Sequence, residues 1–216
     1  MLSLRSAGKP QRKVMQKQST DFLYEALILA GGRGERMAGK DKGWVLWQRR
    51  PLIEYALSRC SQQTVPPQRI VISANRNADA YEQTGYLTLA DERPGYLGPL
   101  AGIEAALIRC KQAWLLVLPC DVPLIPLDVA QRLYSALDKY PGARGAYAIT
   151  DDGPQPLCCL LQPGLAPALS NRLDAGHGKV TDWFLAQQVE PVRFDNAGAF
   201  INFNDLDTLQ AMEAQQ

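Results

Sequence analysis

From Tyr24 onward the chain alternates short apolar runs with segments of helical spacing, and this alternation limits the fold more than any other feature. The apolar runs cover residues 26–30, 70–73, 87–90, 114–118, 146–149 and 158–161. Pro51 is placed to open a helix at its first position, with Ile53, Ala56, Leu57 and Cys60 following at helical spacing. Pro99 is placed to open another, with Leu100, Ile103 and Leu107 on one face. Asp128 is a candidate N-cap for a third, with the stripe Val129, Leu133 and Leu137. Asn204 or Asp205 is placed to cap a last helix carrying Leu206, Leu209 and Met212. Strands alternating with helices predict an α/β domain with a mostly parallel sheet covered on both faces. Ligands of such sheets bind beyond the carboxyl ends of the strands, so the loops leaving those strands are where function is sought.

Composition narrows the chemistry. Apolar residues are 46% of the 216, enough to bury a core. The net charge of +1 hides an asymmetry, because residues 1–20 carry five cations and no acid, which leaves −4 for the remainder. That balance argues against non-specific nucleic-acid binding. His177 is the sole histidine, which excludes a histidine-rich metal site. Five cysteines without a CxxC pair suggest neither zinc nor a disulfide framework, and a reducing cytoplasm is expected. No apolar run approaches the roughly 20 residues of a membrane span. Residues 1–22 read as a basic, disordered tail or as an extension ahead of a start at Met15, with a transit peptide as the sharper alternative. The folded domain is expected over residues 23–216.

The first run leads directly into Gly31-Gly32-Arg33-Gly34-Glu35-Arg36-Met37-Ala38-Gly39-Lys40-Asp41-Lys42-Gly43. Glycines let backbone approach a ligand, exposed N–H groups cradle phosphate oxygens, and Arg33, Arg36, Lys40 and Lys42 have the right sign for a triphosphate. Two familiar phosphate loops fail here. Gly34 to Lys40 has P-loop spacing, but Asp41 stands where that loop needs a hydroxyl. The dinucleotide fingerprint begun at Gly32 meets Met37 where its third glycine belongs.

The pattern that fits is L-A-G-G-x-x-x-R-M-x-G-x-D-K, carried by Leu29, Ala30, Gly31, Gly32, Arg36, Met37, Gly39, Asp41 and Lys42. Further islands follow in order: Asn75-Arg76 after the second run, Asp91 after the third, then Gly98-Pro99-Leu100-Ala101-Gly102. Cys120-Asp121-Val122-Pro123 and Phe200-Ile201-Asn202-Phe203-Asn204 complete the set. Together they resemble the molybdenum cofactor guanylyltransferases, a family of nucleotidyltransferases. Ala38 and Arg33 depart from that pattern, where a second glycine and a lysine are usual, and residues 145–200 match it poorly.

The resemblance implies a Rossmann-like three-layer fold of the nucleotide-diphospho-sugar transferase type, with a GTP-binding N-terminal half and an acceptor-binding C-terminal half. It implies transfer of GMP from GTP to the terminal phosphate of Mo-molybdopterin, with Mg²⁺ as cofactor. In that reading Lys42, Arg36 and Asp121 are catalytic, and Asp121 is the metal ligand. Leu29, Ala30, Gly31, Gly32, Lys42, Asn75, Asp91, Gly98, Gly102, Asp121, Asn202 and Asn204 would contact the nucleotide or metal. Whether Asn202 or Asn204 assists the metal stays open.

The residue types suit that chemistry. A phosphate monoester is largely dianionic at pH 7 and needs no general base, so positive charge and positioning dominate. A carboxylate such as Asp91 accepts from the adjacent N1–H and N2–H₂ of guanine, a pair that adenine and cytosine lack. Arg172, His177, Lys179 and Arg193 are available for the acceptor. Cys120 reads as a buried filler. Transient partners implied are a molybdate-insertion enzyme and molybdoenzymes or their chaperones, with no nucleic acid and no membrane. Competing readings are a CTP-using sister enzyme, a sugar-phosphate nucleotidyltransferase, or a non-catalytic module that binds GTP or the cofactor.

Overall fold

A computed structural model describes residues 22–31, 41–93, 97–176 and 179–203. Its centre is a strand whose every residue is buried, β1 (Tyr24–Leu29), as expected for a strand covered on both faces. Side chains alternate across the sheet. Tyr24, Ala26 and Ile28 enter one apolar cluster, while Leu27 and Leu29 enter another on the opposite face.

Six further strands join β1. They are β4 (Arg69–Ser73), β5 (Leu87–Leu89), β6 (Trp114–Pro119), β7 (Gly145–Thr150), β8 (Gly153–Leu161) and β9 (Val189–Arg193). β2 (Leu46–Trp47) and β3 (Arg50–Pro51) form a separate hairpin. The sheet order is β5-β4-β1-β6-β8-β7-β9, and only β8 runs against the rest. The mostly parallel α/β sheet anticipated from the alternation is therefore present.

Helices cover both faces. The cluster containing Ile28 takes Ile53, Ala56 and Leu57 from α1 (Leu52–Ser61), Tyr81 from α2 (Ala78–Glu82), and Val129 and Leu133 from α4 (Val129–Ala136). The cluster containing Leu27 takes Ile103 and Leu107 from α3 (Pro99–Arg109), Leu169 from α5 (Ala166–Ala175), and Trp183 and Phe184 from α6 (Val180–Ala186).

Several local expectations need correction. Pro51 is the N-cap of α1 and not its first helical residue; its ψ of 142° is still extended because it also ends β3. Asp128 holds the N-cap place of α4, but its side chain makes no capping hydrogen bond; its backbone carbonyl accepts from Arg132 N at 2.9 Å. Leu137 falls beyond α4 in a 3₁₀ turn. The last helix, expected from Asn204 or Asp205, lies outside the described residues. Pro99 does open α3 as anticipated.

The β2–β3 hairpin turns through Gln48 and Arg49, both left-handed, with φ of 48° and 65°. Such two-residue turns favour asparagine or glycine, because a Cβ is crowded at positive φ. We expect Arg49→Gly to relieve about 1 kcal/mol of backbone strain and to raise Tm by about 2–4 °C. Thermal unfolding followed by circular dichroism checks this, and a fall in Tm would contradict it.

Candidate active site

The strand register levels four chain segments. Leu29 of β1 pairs with Ser73 of β4 on one side and with Pro119 of β6 on the other, and Ser73 pairs with Leu89 of β5. Two residues beyond that row come Asp91, Asn75, Gly31 and Asp121, side by side across the carboxyl edge of the sheet. Hydrogen bonds just past the strands hold the loops in step. Ala74 N donates to Leu89 O at 3.0 Å, and Cys120 N to Leu29 O at 3.0 Å. Ala30 N and Gly31 N both donate to Ser73 O, at 3.0 and 2.9 Å.

A cleft of about 90 Å³ opens above this edge, lined by Leu29, Gly31, Ser73, Asn75, Asp91, Gly98, Pro99 and Gly102. Asn75 and Asp91 form a reciprocal pair across it. Asn75 Nδ2 donates to Asp91 Oδ2 at 2.6 Å, and Asp91 N donates to Asn75 Oδ1 at 2.8 Å. Burial pushes the Asp91 carboxyl above its ordinary value, the Asn75 hydrogen bond opposes that, and the charge of Glu104 adds to it. Gly98 precedes α3 with φ of +74°, which favours glycine. Gly102 is required for a different reason. A Cβ there would overlap the Ser73 hydroxyl and come within 3.5 Å of Asp91 Oδ1.

Beside the cleft, Lys42 Nζ pairs with Asp121 Oδ2, and the Asp121 carboxylate is buried. The approach of Lys42 is fixed by its neighbour. Asp41 accepts from Tyr81 Oη at 2.5 Å, Asn77 Nδ2 at 2.9 Å and Gly43 N at 3.2 Å. The bonds from Tyr81 and Asn77 fasten the end of the glycine-rich loop to α2 and its N-cap, while that from Gly43 N caps the short turn that begins at Lys42. Sequence reading gave Asp41 no task, because Asn77 and Tyr81 lie 36 and 40 residues away along the chain. Ser73, the contact that explains Gly102, was missed likewise. On the far side, Phe203 N donates to Asp121 O at 2.8 Å, which brings Asn202 next to this pair.

The structure thus gathers Leu29, Gly31, Asn75, Asp91, Gly98 and Gly102 around one cleft, with Lys42, Asp121 and Asn202 at its flank, while Ala30 is buried in the apolar cluster beneath it and does not line the cleft. Gly32, Arg36 and Asn204 lie outside the described residues, as do Arg33, Lys40 and His177. Cys120 is buried and its thiol is pushed up, by burial first, which suits a filler better than a nucleophile. Arg172 Nη2 donates to the Lys179 carbonyl at 2.7 Å. Arg193 is engaged with Asp151 and lines a larger groove of about 560 Å³ between α4 and β9, which contains none of the strand-end residues. Chemistry and not size therefore locates the site.

The chain matches the family model of the MobA-like NTP transferase domain over residues 26–192. It belongs to that family. Among curated relatives of this NTP transferase, the molybdenum cofactor guanylyltransferase of Polynucleobacter asymbioticus is 41% identical over 191 residues, 87% of this chain and 94% of the relative. That of Shewanella sediminis is 39% identical over the same shares. Among solved structures, molybdopterin-guanine dinucleotide biosynthesis protein A from Archaeoglobus fulgidus superposes with a TM-score of 0.71 at 24% identity, covering 88% of this chain and 97% of that one. The 2-C-methyl-D-erythritol 4-phosphate cytidylyltransferase of Francisella tularensis reaches 0.66 at 15%, covering 90% and 100%. The shared fold therefore does not decide the base.

Gly102→Ala tests the close approach of α3 to β4. Overpacking of this kind costs about 1–3 kcal/mol, so a lower Tm and weakened nucleotide binding are expected in calorimetry. Wild-type values for both would remove Gly102 from the site.

Proposed function

We propose that this chain transfers the guanylate of GTP to the terminal phosphate of Mo-molybdopterin. The products are the guanine dinucleotide form of the cofactor and pyrophosphate. A phosphate oxygen of the acceptor bonds to the α-phosphorus, and the bond from that phosphorus to the bridging oxygen of the β-phosphate breaks. The observation that carries the reading is the row of strand ends, along which the hydrogen-bonded pair Asn75 and Asp91 and the charged pair Lys42 and Asp121 share one edge with Gly31 between them. The names of the curated relatives support the same choice of nucleotide and acceptor.

On this reading the labour is divided along the row. Asp91 accepts from guanine N1–H and N2–H₂ while Asn75 fixes its orientation. The backbone of Leu29, Ala30 and Gly31 lies under base and sugar, and Gly32, Gly98 and Gly102 admit the nucleotide closely. Lys42 and Arg36 offset the anion–anion repulsion that dominates the barrier. No general base is required.

Magnesium fits the donors present. Asp121 offers hard carboxylate oxygen, and Mg²⁺ takes one or two carboxylates with waters and phosphates as its other ligands. Among the described residues no three His, Cys, Asp or Glu side chains converge on one point, and such an ion does not need them. When bound it would neutralise triphosphate charge, with Asn202 or Asn204 assisting Asp121. Residues 23–216 are the catalytic domain in this reading, working in the cytoplasm with molybdate-insertion enzymes and molybdoenzymes or their chaperones as transient partners. Among the described residues no helix is long and apolar enough to cross a membrane.

Purified protein supplied with each of GTP, CTP, ATP and UTP, with and without molybdopterin, tests the reaction through dinucleotide formation and pyrophosphate release. GTP with molybdopterin should yield both far faster than the other three nucleotides do; equal cytidylate transfer would overturn the guanine assignment. Asp121→Ala and Lys42→Ala should each lower kcat on the order of 100-fold or more with the circular dichroism spectrum retained. Near-normal turnover would take that residue out of the mechanism.

Asp91 also gives a pH signature. Its raised pKa means that the folded protein holds the proton more tightly, so acidification neutralises the carboxylate and GTP binding weakens below that raised value. GTP titrations should therefore show an acid limb above the ordinary carboxylate pKa of about 4. The limb should be absent in Asp91→Asn and in wild-type titrations with ATP.

A further inference from the structure

Glu104 lies in α3, two positions past Gly102, and is only 4% exposed. A carboxylate at that depth is costly unless fully partnered. Arg93 partners it in fork-to-fork geometry, with Nε 2.6 Å from Oε2 and Nη2 2.9 Å from Oε1. Ser170 of α5 also donates to Glu104 Oε1. The same guanidinium reaches Asp174 Oδ1 at 2.5 Å and the Ser170 carbonyl at 3.3 Å. One side chain thus ties the segment after β5 to both α3 and α5.

The position of this pair is informative. Arg93 stands two residues past Asp91, and Glu104 stands two residues past the glycine that faces Asp91 Oδ1. The clamp therefore joins the two backbone segments whose spacing decides where the Asp91 carboxylate sits. Apolar side chains would pack α3 against α5 equally well, and replacing a buried ion pair by them is often neutral or stabilising. What a bidentate fork adds is direction: two parallel hydrogen bonds define angle as well as distance.

We infer that Arg93 and Glu104 are positioning residues for base selection, holding the Asp91 segment on α3 so that its carboxylate meets the guanine edge. The inference rests on the reading that Asp91 recognises the base. It assigns neither residue a contact with the nucleotide.

Steady-state kinetics of the full chain with GTP and with ATP test it, using Arg93→Lys, Glu104→Gln and the double variant Arg93→Met with Glu104→Leu. The double variant leaves no unpaired buried charge, so it remains informative where a single variant folds poorly. The expected result is a KM for GTP raised about tenfold, with kcat within about twofold and a matching loss of GTP-over-ATP preference. Thermal unfolding of the double variant should stay within a few degrees of wild type. A double variant with wild-type KM and preference overturns the inference, as does a fall in kcat without a change in preference.

Asp91→Asn separates the two assignments. If it lowers the preference while the clamp variants do not, the clamp inference alone fails. If it leaves the preference unchanged, base reading by Asp91 fails and the clamp role falls with it. Adding Arg93→Lys to Asp91→Asn should cost no further preference, because the two act through one carboxylate; an additive loss overturns the inference.

Discussion

Four parallel strands held in one register are the constraint from which the site follows. Leu89, Ser73, Leu29 and Pro119 form a row, and each strand has the same two-residue run-out before Asp91, Asn75, Gly31 or Asp121. A one-residue slip of β4 against β1 would turn Ile70 and Ile72 away from the core they fill and would move Asn75 out of line with Asp91. Apolar burial on both faces therefore fixes polar geometry at the edge. The loops keep that alignment because their first amides remain tied to the neighbouring strand, as Ala30, Gly31, Ala74 and Cys120 do.

Charge is distributed with the same economy. Buried acids each meet a specific cation: Glu25 meets Arg69, Glu104 meets Arg93 and Asp121 meets Lys42. The first pair sits at the start of β1, far along the strand from the site, and Lys111 N also donates to Glu25 Oε1 at 3.0 Å. The other two flank the row of strand ends. The overall charge of +1 describes none of these arrangements, since what matters is which carboxylate is left open to a ligand.

Much of the frame was legible in the residues. Buried strands announce themselves by apolar runs, and each of the six runs became part of a sheet strand. The hairpin escaped because Gln48-Arg49 carries no turn signature. β9 escaped because its sequence VEPVR is short, half polar and contains proline, features tolerated at a sheet edge, which is where it lies. At the site, motif residues such as Asp91 and Gly102 could be named, but the reason for Gly102 is a contact with Ser73, 29 positions away. Tyr81 and Asn77 gave no signal, since their partner Asp41 is brought near only by the fold. Pairings across elements have no local pattern to betray them.

The bond from Phe203 to Asp121 has a consequence for synthesis on the ribosome. The four parallel strands of the row are all present once residue 119 has emerged, yet β6 still lacks its neighbour β8. Phe203 emerges far later, packing edge-on against Trp47 at 5.0 Å while its amide donates to the Asp121 carbonyl. A growing chain thus carries the whole row of strand ends well before the residue whose amide meets the Asp121 carbonyl, so a copy that stops short of Phe203 lacks that bond.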